Sequence, residues 1–442
     1  VINPSLSALA RRTGDSPISD LMARALACPD LISLAAGFVD NDTLPRERTH
    51  AAVATILKHP TEGNRALQYG TTRGDTSLRR ILAELVAPSQ NWSGDQIEAL
   101  ADRIIVTNGS QQLLYLVAES LLDPGDIVLV ESPTYFVFLG LLQSRGARVI
   151  GVDIDEGGMR LDVLEQRLAE QEAAGQLDRV KLIYTITEHS NPSGLSLDAD
   201  RRPALVRIAQ EWSRSHRIYI LEDAAYRGLH YEGPEPPTLW SHDHAGTTVI
   251  HARTFSKTFS PGLKVGFGIL PTELLGPILA LKGNHDFGSA HFSQQLMERV
   301  LKDGAYTAHV SGLRQIYRRK RDVLLDALAE HFAPWRGEVE WTHPQGGLYV
   351  WLTLPPDLDT GRDSAYFARC LEEGVLYVPG AYCFAGEPVA PPSHHARLTF
   401  GVTSPEGLRE GVRRMAQALA QVRKTSGPIL TPRLEVTAPT RT

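Results

Sequence analysis

The chain has 442 residues, 42% of them apolar and 22% charged, with a net charge of −6. That is long enough for two or three domains around a sizeable core, and the negative balance leaves no basic footprint for nucleic acid. Three scattered cysteines (Cys28, Cys370, Cys383) suit neither a disulfide framework nor a zinc site, no run of about 18 apolar residues is present to span a membrane, and the first residues lack a leader pattern, so a reducing cytoplasmic setting is expected.

In chain order, residues 103–107 read as a strand and 111–122 as a helix, closed by Asp123-Pro124-Gly125-Asp126. A short apolar run, 127–130, precedes a helical pattern over 135–143. Strands are expected at 148–154, 181–187, 217–221, 247–251 and 265–270, with helices at 161–173 and 203–215 between them. Apolar strands separated by crossover helices predict an α/β fold, a mainly parallel seven-stranded type of sheet flanked by helices, with ligands beyond the strands' carboxyl ends. After residue 272 the pattern changes to long helices (272–282, 308–332, 405–422) with strands at 347–352 and 397–400 and a helix at 364–373, which predicts a smaller α+β domain. The expected division is an N-terminal arm with part of the small domain (1–45), a large domain (46–305), a small C-terminal domain (306–423) and a Thr- and Pro-rich tail (424–442).

Four motifs fall at expected strand ends. Thr107-Asn108-Gly109-Ser110-Gln111-Gln112 opens a helix, where free N–H groups and the Ser110 hydroxyl suit a phosphate or simply cap the helix. Ser190-Asn191-Pro192-Ser193-Gly194 is either a plain turn or a presentation of the Asn191 amide to a ligand oxygen. Glu222-Asp223-Ala224-Ala225-Tyr226 ends a strand in carboxylates; a buried Asp223 needs a cationic partner such as a protonated ring nitrogen, and Tyr226 suits a phenolate. Lys257 lies 34 residues after Asp223, among small residues, with Ser256 and Lys264 nearby. Alone it fits a solvated loop cation or a Schiff-base amine.

Together these groups complement pyridoxal 5'-phosphate. The order Ser-Gln-Gln, Asn-Pro-Ser-Gly, Asp-x-x-Tyr, Ser-Pro-Gly-Leu-Lys-Val-Gly and a late Arg, from about residue 30 to 423, resembles the fold-type I aminotransferases of class I/II. The Leu34-Ala35-Ala36-Gly37 start and Gln345-Gly346-Gly347-Leu348-Tyr349-Val350-Trp351 resemble the 2-aminoadipate and kynurenine branch. The resemblance implies Lys257 as Schiff base and proton shuttle, Asp223 on the pyridine nitrogen, and Asn191 and Tyr226 on the phenolic oxygen. It further implies Ser110, Gln111 and Ser256 on the phosphate, Tyr135 stacked on the ring, and Arg397 and Gly37 on the substrate carboxylate. Tyr69 would reach the neighbouring subunit's phosphate, which implies a homodimer with a shared site. The partners implied are amino-acid and 2-oxo-acid substrates exchanged by a ping-pong route, with no nucleic acid and no membrane.

Three departures stand out. Lys264 occupies a position where the family has arginine, Glu188 and His189 replace the usual residues before Asn191, and no arginine stands near Ser19 for a distal carboxylate, although Arg24 is close. Glu188 and His189 add titratable groups near the cofactor and are expected behind the site or at the surface rather than in catalysis. His242 and His244 read as a loop rather than a metal cluster, His394-His395 as an exposed pair, and Arg318-Arg319-Lys320-Arg321 as a solvated helix face. A lyase, decarboxylase or oxidase using the same cofactor is the nearest rival. A cofactor-binding regulator is more distant, since only about 30 residues precede the resemblance.

Overall fold

A computed structural model describes residues 5–14, 30–87, 92–386 and 391–425. Ser19, Arg24, Cys28 and the tail from 426 onward lie outside the described residues.

The large sheet has eight strands in the order β2-β9-β8-β7-β6-β3-β4-β5. They are β2 (Ile104–Asn108), β3 (Ile127–Ser132), β4 (Arg148–Asp155), the two-residue β5 (Gly158–Met159), β6 (Val180–Thr185), β7 (Tyr219–Asp223), β8 (Val249–Thr254) and β9 (Val265–Ile269); β1 is the short Ile32–Ser33. Neighbours from β4 through β3, β6 and β7 to β8 are parallel, while β9 is antiparallel to both β8 and β2. The reversal has a simple cause. A parallel return needs a crossover of a dozen or more residues, and only residues 255–264 join β8 to β9. That short loop carries Lys257. Helices Gly109–Leu121, Phe136–Arg145, Leu161–Ala173 and Arg201–Trp212 connect the strands, and β7, β8 and β9 are buried along their whole length. The carboxyl ends of β2, β8, β7 and β6 therefore share one edge, in registers such as Asp223 opposite Ala252 and Thr185 opposite Glu222.

The second sheet is antiparallel and consists of β10 (Glu340–Trp341), β11 (Tyr349–Thr353), β14 (His395–Thr399) and β13 (Val378–Pro379), in that order. Helices Ala305–His331 and Pro405–Thr425 belong to this half. Arg397 sits in β14 opposite Trp351 on one side and Val378 on the other. The strand β1 pairs in parallel with β12 (Val375–Leu376), and Thr399 N–H donates to the Leu34 carbonyl at 2.9 Å. Residues 34–37 are thereby laid against the second sheet, facing the edge of the large one.

Besides the short Ala8–Arg12, five helices had no counterpart in the sequence reading: Arg46–Lys58, Pro60–Leu67, Thr76–Val86, Gly94–Ala101 and His291–Lys302. Two carried start signals. Asp75 caps the third through Ser77 and Leu78 N–H, and Ser93 with Gln96 forms a capping box on the fourth. The basic run needs correction. Arg318 and Arg319 are exposed, but Lys320 and Arg321 are buried, Lys320 against Asp40 at 2.6 Å and Arg321 against Glu232 at 2.6 Å. Successive helical positions point about 100° apart, so a contiguous charge run covers both faces. Among the described residues no helix is long and apolar enough to cross a membrane.

Candidate active site

A cavity of about 370 Å³ opens at the shared edge. Its lining includes Gly37, Ser110, Gln111, Tyr135, Asn191, Asp223, Tyr226, Ser256, Lys257, Lys264 and Arg397. Eleven of the twelve residues singled out in the sequence thus meet in one place. The twelfth, Tyr69, is 81% exposed and packs edge-on against Phe287, outside this cavity.

Each side chain arrives from a different segment. Lys257, half-buried just after β8, donates from Nζ to the Gly37 carbonyl at 2.8 Å. Asp223 ends β7. Its Oδ2 accepts from the Tyr184 hydroxyl at 2.9 Å and its Oδ1 from Ala225 N–H at 3.2 Å. Burial pushes its carboxyl up to about 6, against the pull of those two bonds and of His251. Tyr226 follows on the same turn and bonds Tyr349 through the two hydroxyls at 3.2 Å. Asn191 sits in the turn after β6, preceding a cis proline. Arg397 reaches in from β14, bonding Asn191 Oδ1 at 2.9 Å and the Ala35 carbonyl at 2.6 Å.

The opposite end is built on the helix start at Gly109. Gly109 has φ +70°, a left-handed turn that glycine takes without a Cβ penalty. A Cβ on Gly266 of β9 would lie 2.7 Å from Ser110 N, so the close packing of helix start on strand requires glycine there. Ser110 and Gln111 line the cavity at this end with Thr254 and Ser256, whose hydroxyls are 2.9 Å apart, and exposed Lys264.

This donor set fits pyridoxal 5'-phosphate. One end offers a helix N-terminus, hydroxyls and a cation, which match a phosphate. The other offers a buried carboxylate, which lacks a cationic partner among its hydrogen bonds and would gain one from a protonated ring nitrogen. Arg397 Nε is buried with no hydrogen-bond partner among the described residues, a donor available to an incoming carboxylate.

The family model for aminotransferases of class I and II matches residues 29–415. The chain belongs to that family. The aminotransferase is 33% identical to "Aromatic-amino-acid aminotransferase 1" of Thermococcus litoralis, over 92% of each chain. It is also 33% identical to "2-aminoadipate transaminase" of Thermus thermophilus, over 88% of this chain and 90% of the relative. Among solved structures, a Pyrococcus horikoshii kynurenine aminotransferase in complex with PMP matches with a TM-score of 0.85 and 30% identity, covering 95% of this chain and 97% of that one. The aminotransferase is a fold-type I, pyridoxal phosphate-dependent transaminase.

Sequence reasoning gave no site role to Tyr184, Tyr349, Asn108 or Thr254. Tyr184 is a polar-tipped residue next to the apolar pair Leu182-Ile183 of its strand, and Tyr349 stood in a motif used only for resemblance; both were visible signals. Glu188 and His189 are buried, each 1% exposed, which rules out the surface alternative. Glu188 binds Arg202 at 2.8 Å and Arg227 at 2.9 Å behind the Asn191 turn. In the segment around His242, Asp243 Oδ2 accepts from Thr248 and Val249 N–H at 2.7 and 2.8 Å.

Proposed function

We propose that this cavity moves an amino group from an L-amino acid to a 2-oxo acid, with each residue in the role its position supports. Pyridoxal 5'-phosphate supplies an aldehyde and an electron-accepting ring that stabilises charge developing at an amino acid's Cα. Lys257 Nζ would be the amine that holds it and the base placed to take the Cα proton. Asp223 holds the ring nitrogen protonated. Asn191 and Tyr226 would donate to the phenolic oxygen, Tyr135 would stack on the ring, and Ser110, Gln111, Ser256 and Lys264 would bind the phosphate. Arg397, with the Gly37 backbone, holds the α-carboxylate; its fork matches a carboxylate's two oxygens. Donor and acceptor would use the same carboxylate grip in turn, the donor leaving as a 2-oxo acid and its nitrogen staying behind before the acceptor enters, so ping-pong kinetics are expected.

The observation that carries this reading is the meeting of Lys257, Asp223 and Arg397 in one cavity, brought from β8, β7 and β14. The test is a steady-state assay of amino donor with 2-oxoglutarate: parallel double-reciprocal lines are expected. Ammonia or pyruvate released without any oxo acid would favour the lyase alternative.

The finer organisation belongs to the same proposal: a cytoplasmic homodimer in which Tyr69 completes the neighbour's phosphate site. Tyr69, Phe287 and Leu67 form an exposed apolar group that suits burial against a second copy. The domain division is proposed at 1–45, 46–305 and 306–423. Sedimentation of Tyr69→Ala against the unaltered chain, with phosphate-analogue affinity, tests the shared site. The relatives' names span aromatic amino acids, 2-aminoadipate and kynurenine, and support a donor of that range.

A further inference from the structure

We propose that Tyr349 is a positioning residue that turns the Tyr226 hydroxyl proton toward the cofactor's phenolic oxygen and ties that proton to Arg397. The inference rests on the reading that Tyr226 faces this oxygen, and it concerns a side chain to which that reading gives no role.

Tyr226 and Tyr349 come from opposite halves of the fold, the turn after β7 and the start of β11, 123 residues apart. Both are buried, at 4% and 2% exposure, and their rings meet edge-on with centroids 5.6 Å apart. Their hydroxyls are 3.2 Å apart. Packing fixes Tyr349 tightly: a Cβ on Gly37 would lie 2.6 Å from its hydroxyl oxygen, so the ring tip is pressed onto the backbone of that segment. The Arg397 guanidinium lies 4.6 Å from the Tyr349 ring centroid, on its face. Tyr349 is therefore in contact with the proposed carboxylate grip on its face and with Tyr226 at its tip.

A phenol has one proton to donate. In the structure Tyr226 donates to Tyr349. When Tyr226 donates to a cofactor oxygen its proton is committed, and the bond between the two phenols persists only with Tyr349 as donor. A chain of this kind, Tyr349 to Tyr226 to the phenolic oxygen, strengthens each bond in it. The charges agree with a labile Tyr349 proton. Burial opposes its ionisation, but Arg397 and Lys257, together with the hydrogen bond from Tyr226, bring its phenol below the ordinary tyrosine value, whereas burial and the neighbouring Tyr349 push Tyr226 well above it. A substrate carboxylate on Arg397 withdraws that help from Tyr349, which then holds its proton more firmly and donates more weakly to Tyr226. Carboxylate binding is in this way communicated to the phenolic oxygen.

A donor bond stabilises negative charge on the phenolic oxygen and lowers its hold on a nearby proton. Removing Tyr349's hydroxyl weakens that donor. The experiment is a pH titration of the absorbance of the lysine-bound cofactor in purified holoenzyme, with Tyr349→Phe and Tyr226→Phe as single and double variants. Tyr349→Phe is expected to raise the apparent pKa by roughly half a unit, about a threefold change in proton affinity. Tyr226→Phe is expected to raise it further, and the double variant to match Tyr226→Phe alone. Urea unfolding of the apoproteins reports any loss of packing separately. A Tyr349→Phe titration superimposable on the parent, whether or not stability falls, would overturn the inference and leave Tyr349 as packing only. Additive shifts in the double variant would overturn the relay. If the parent holoenzyme shows no borohydride-reducible absorbance, the cofactor reading fails first and this inference with it.

Discussion

The Arg397 guanidinium donates to the Asn191 amide oxygen at 2.9 Å, joining residues 206 apart. A guanidinium only donates, so the Asn191 oxygen must face it and the Nδ2 hydrogens point elsewhere. The bond thereby orients both partners: it aims Asn191's donor group and restricts Arg397 to a geometry in which Nε remains open. Asn191→Ala leaves Arg397 without one of its two fixed partners. KM for the amino donor is expected to rise about tenfold, the scale of one hydrogen bond to a charged group, with a second loss in kcat from the phenolic-oxygen contact. Steady-state kinetics with donor and acceptor varied separately checks it.

Arg397 itself is testable by its shape. Arg397→Lys keeps the charge but loses the planar fork. A fall in kcat/KM of roughly a hundredfold is expected, and of similar size for amino acid and oxo acid, because both present the same carboxylate. An effect on only one half-reaction would place Arg397 on the side chain of one substrate instead.

Asp223 and Glu131 make the apoprotein sensitive to pH. Burial pushes Asp223 up to about 6 and Glu131 up to about 7. Both folded values exceed the ordinary ones of 3.8 and 4.5, so the stability they contribute is complete below about pH 4 and lost as pH rises through 6 to 7. For Asp223 the loss approaches about 3 kcal/mol. Asp223→Asn removes its share. The stability difference between Asp223→Asn and parent apoproteins, measured by urea unfolding, is expected to shift in the variant's favour between pH 4 and 7, then level off. Cofactor binding, which gives the carboxylate a cationic partner, is expected to diminish that advantage.

Glu188 behaves in the opposite sense. Burial disfavours its charge, but Arg202 and Arg227 with hydrogen bonds from Arg202 and Thr187 bring it down to about 2. The cluster therefore stays ionised throughout the working range. Arg202 is 0% exposed and also bonds the carbonyls of Thr187, Leu197 and Pro237. Glu188→Ala strands two arginine charges behind the Asn191 turn and is expected to cost roughly 3–5 kcal/mol in unfolding, with little change in its pH dependence above pH 4.

What the sequence made legible was local. The helix at Leu161–Ala173 matches its expected bounds, since Leu161, Leu164 and Leu168 recur at helical spacing, and the crossover strands lie within a few residues of expectation. The site was legible because its chemistry depends on residue types that one cofactor requires at once. What stayed hidden depends on distant partners. Glu188 looks like any loop carboxylate until Arg202 and Arg227, 14 and 39 residues away, close on it. The reversal of β9 follows from a ten-residue loop, but only once Val265–Ile269 is known to join the same sheet. Tyr349 and Tyr226 meet across 123 residues, a contact that no local pattern announces.

The central claim is that Lys257 attaches the cofactor and moves the proton. The direct measurement is borohydride reduction of purified holoenzyme followed by peptide mass mapping, for the parent and Lys257→Ala. The account predicts a reduced cofactor on the peptide holding Lys257 in the parent, and neither that adduct nor transamination in the variant. A labelled peptide elsewhere in the chain, or a Lys257→Ala protein that keeps both its reducible cofactor and full activity, would contradict it.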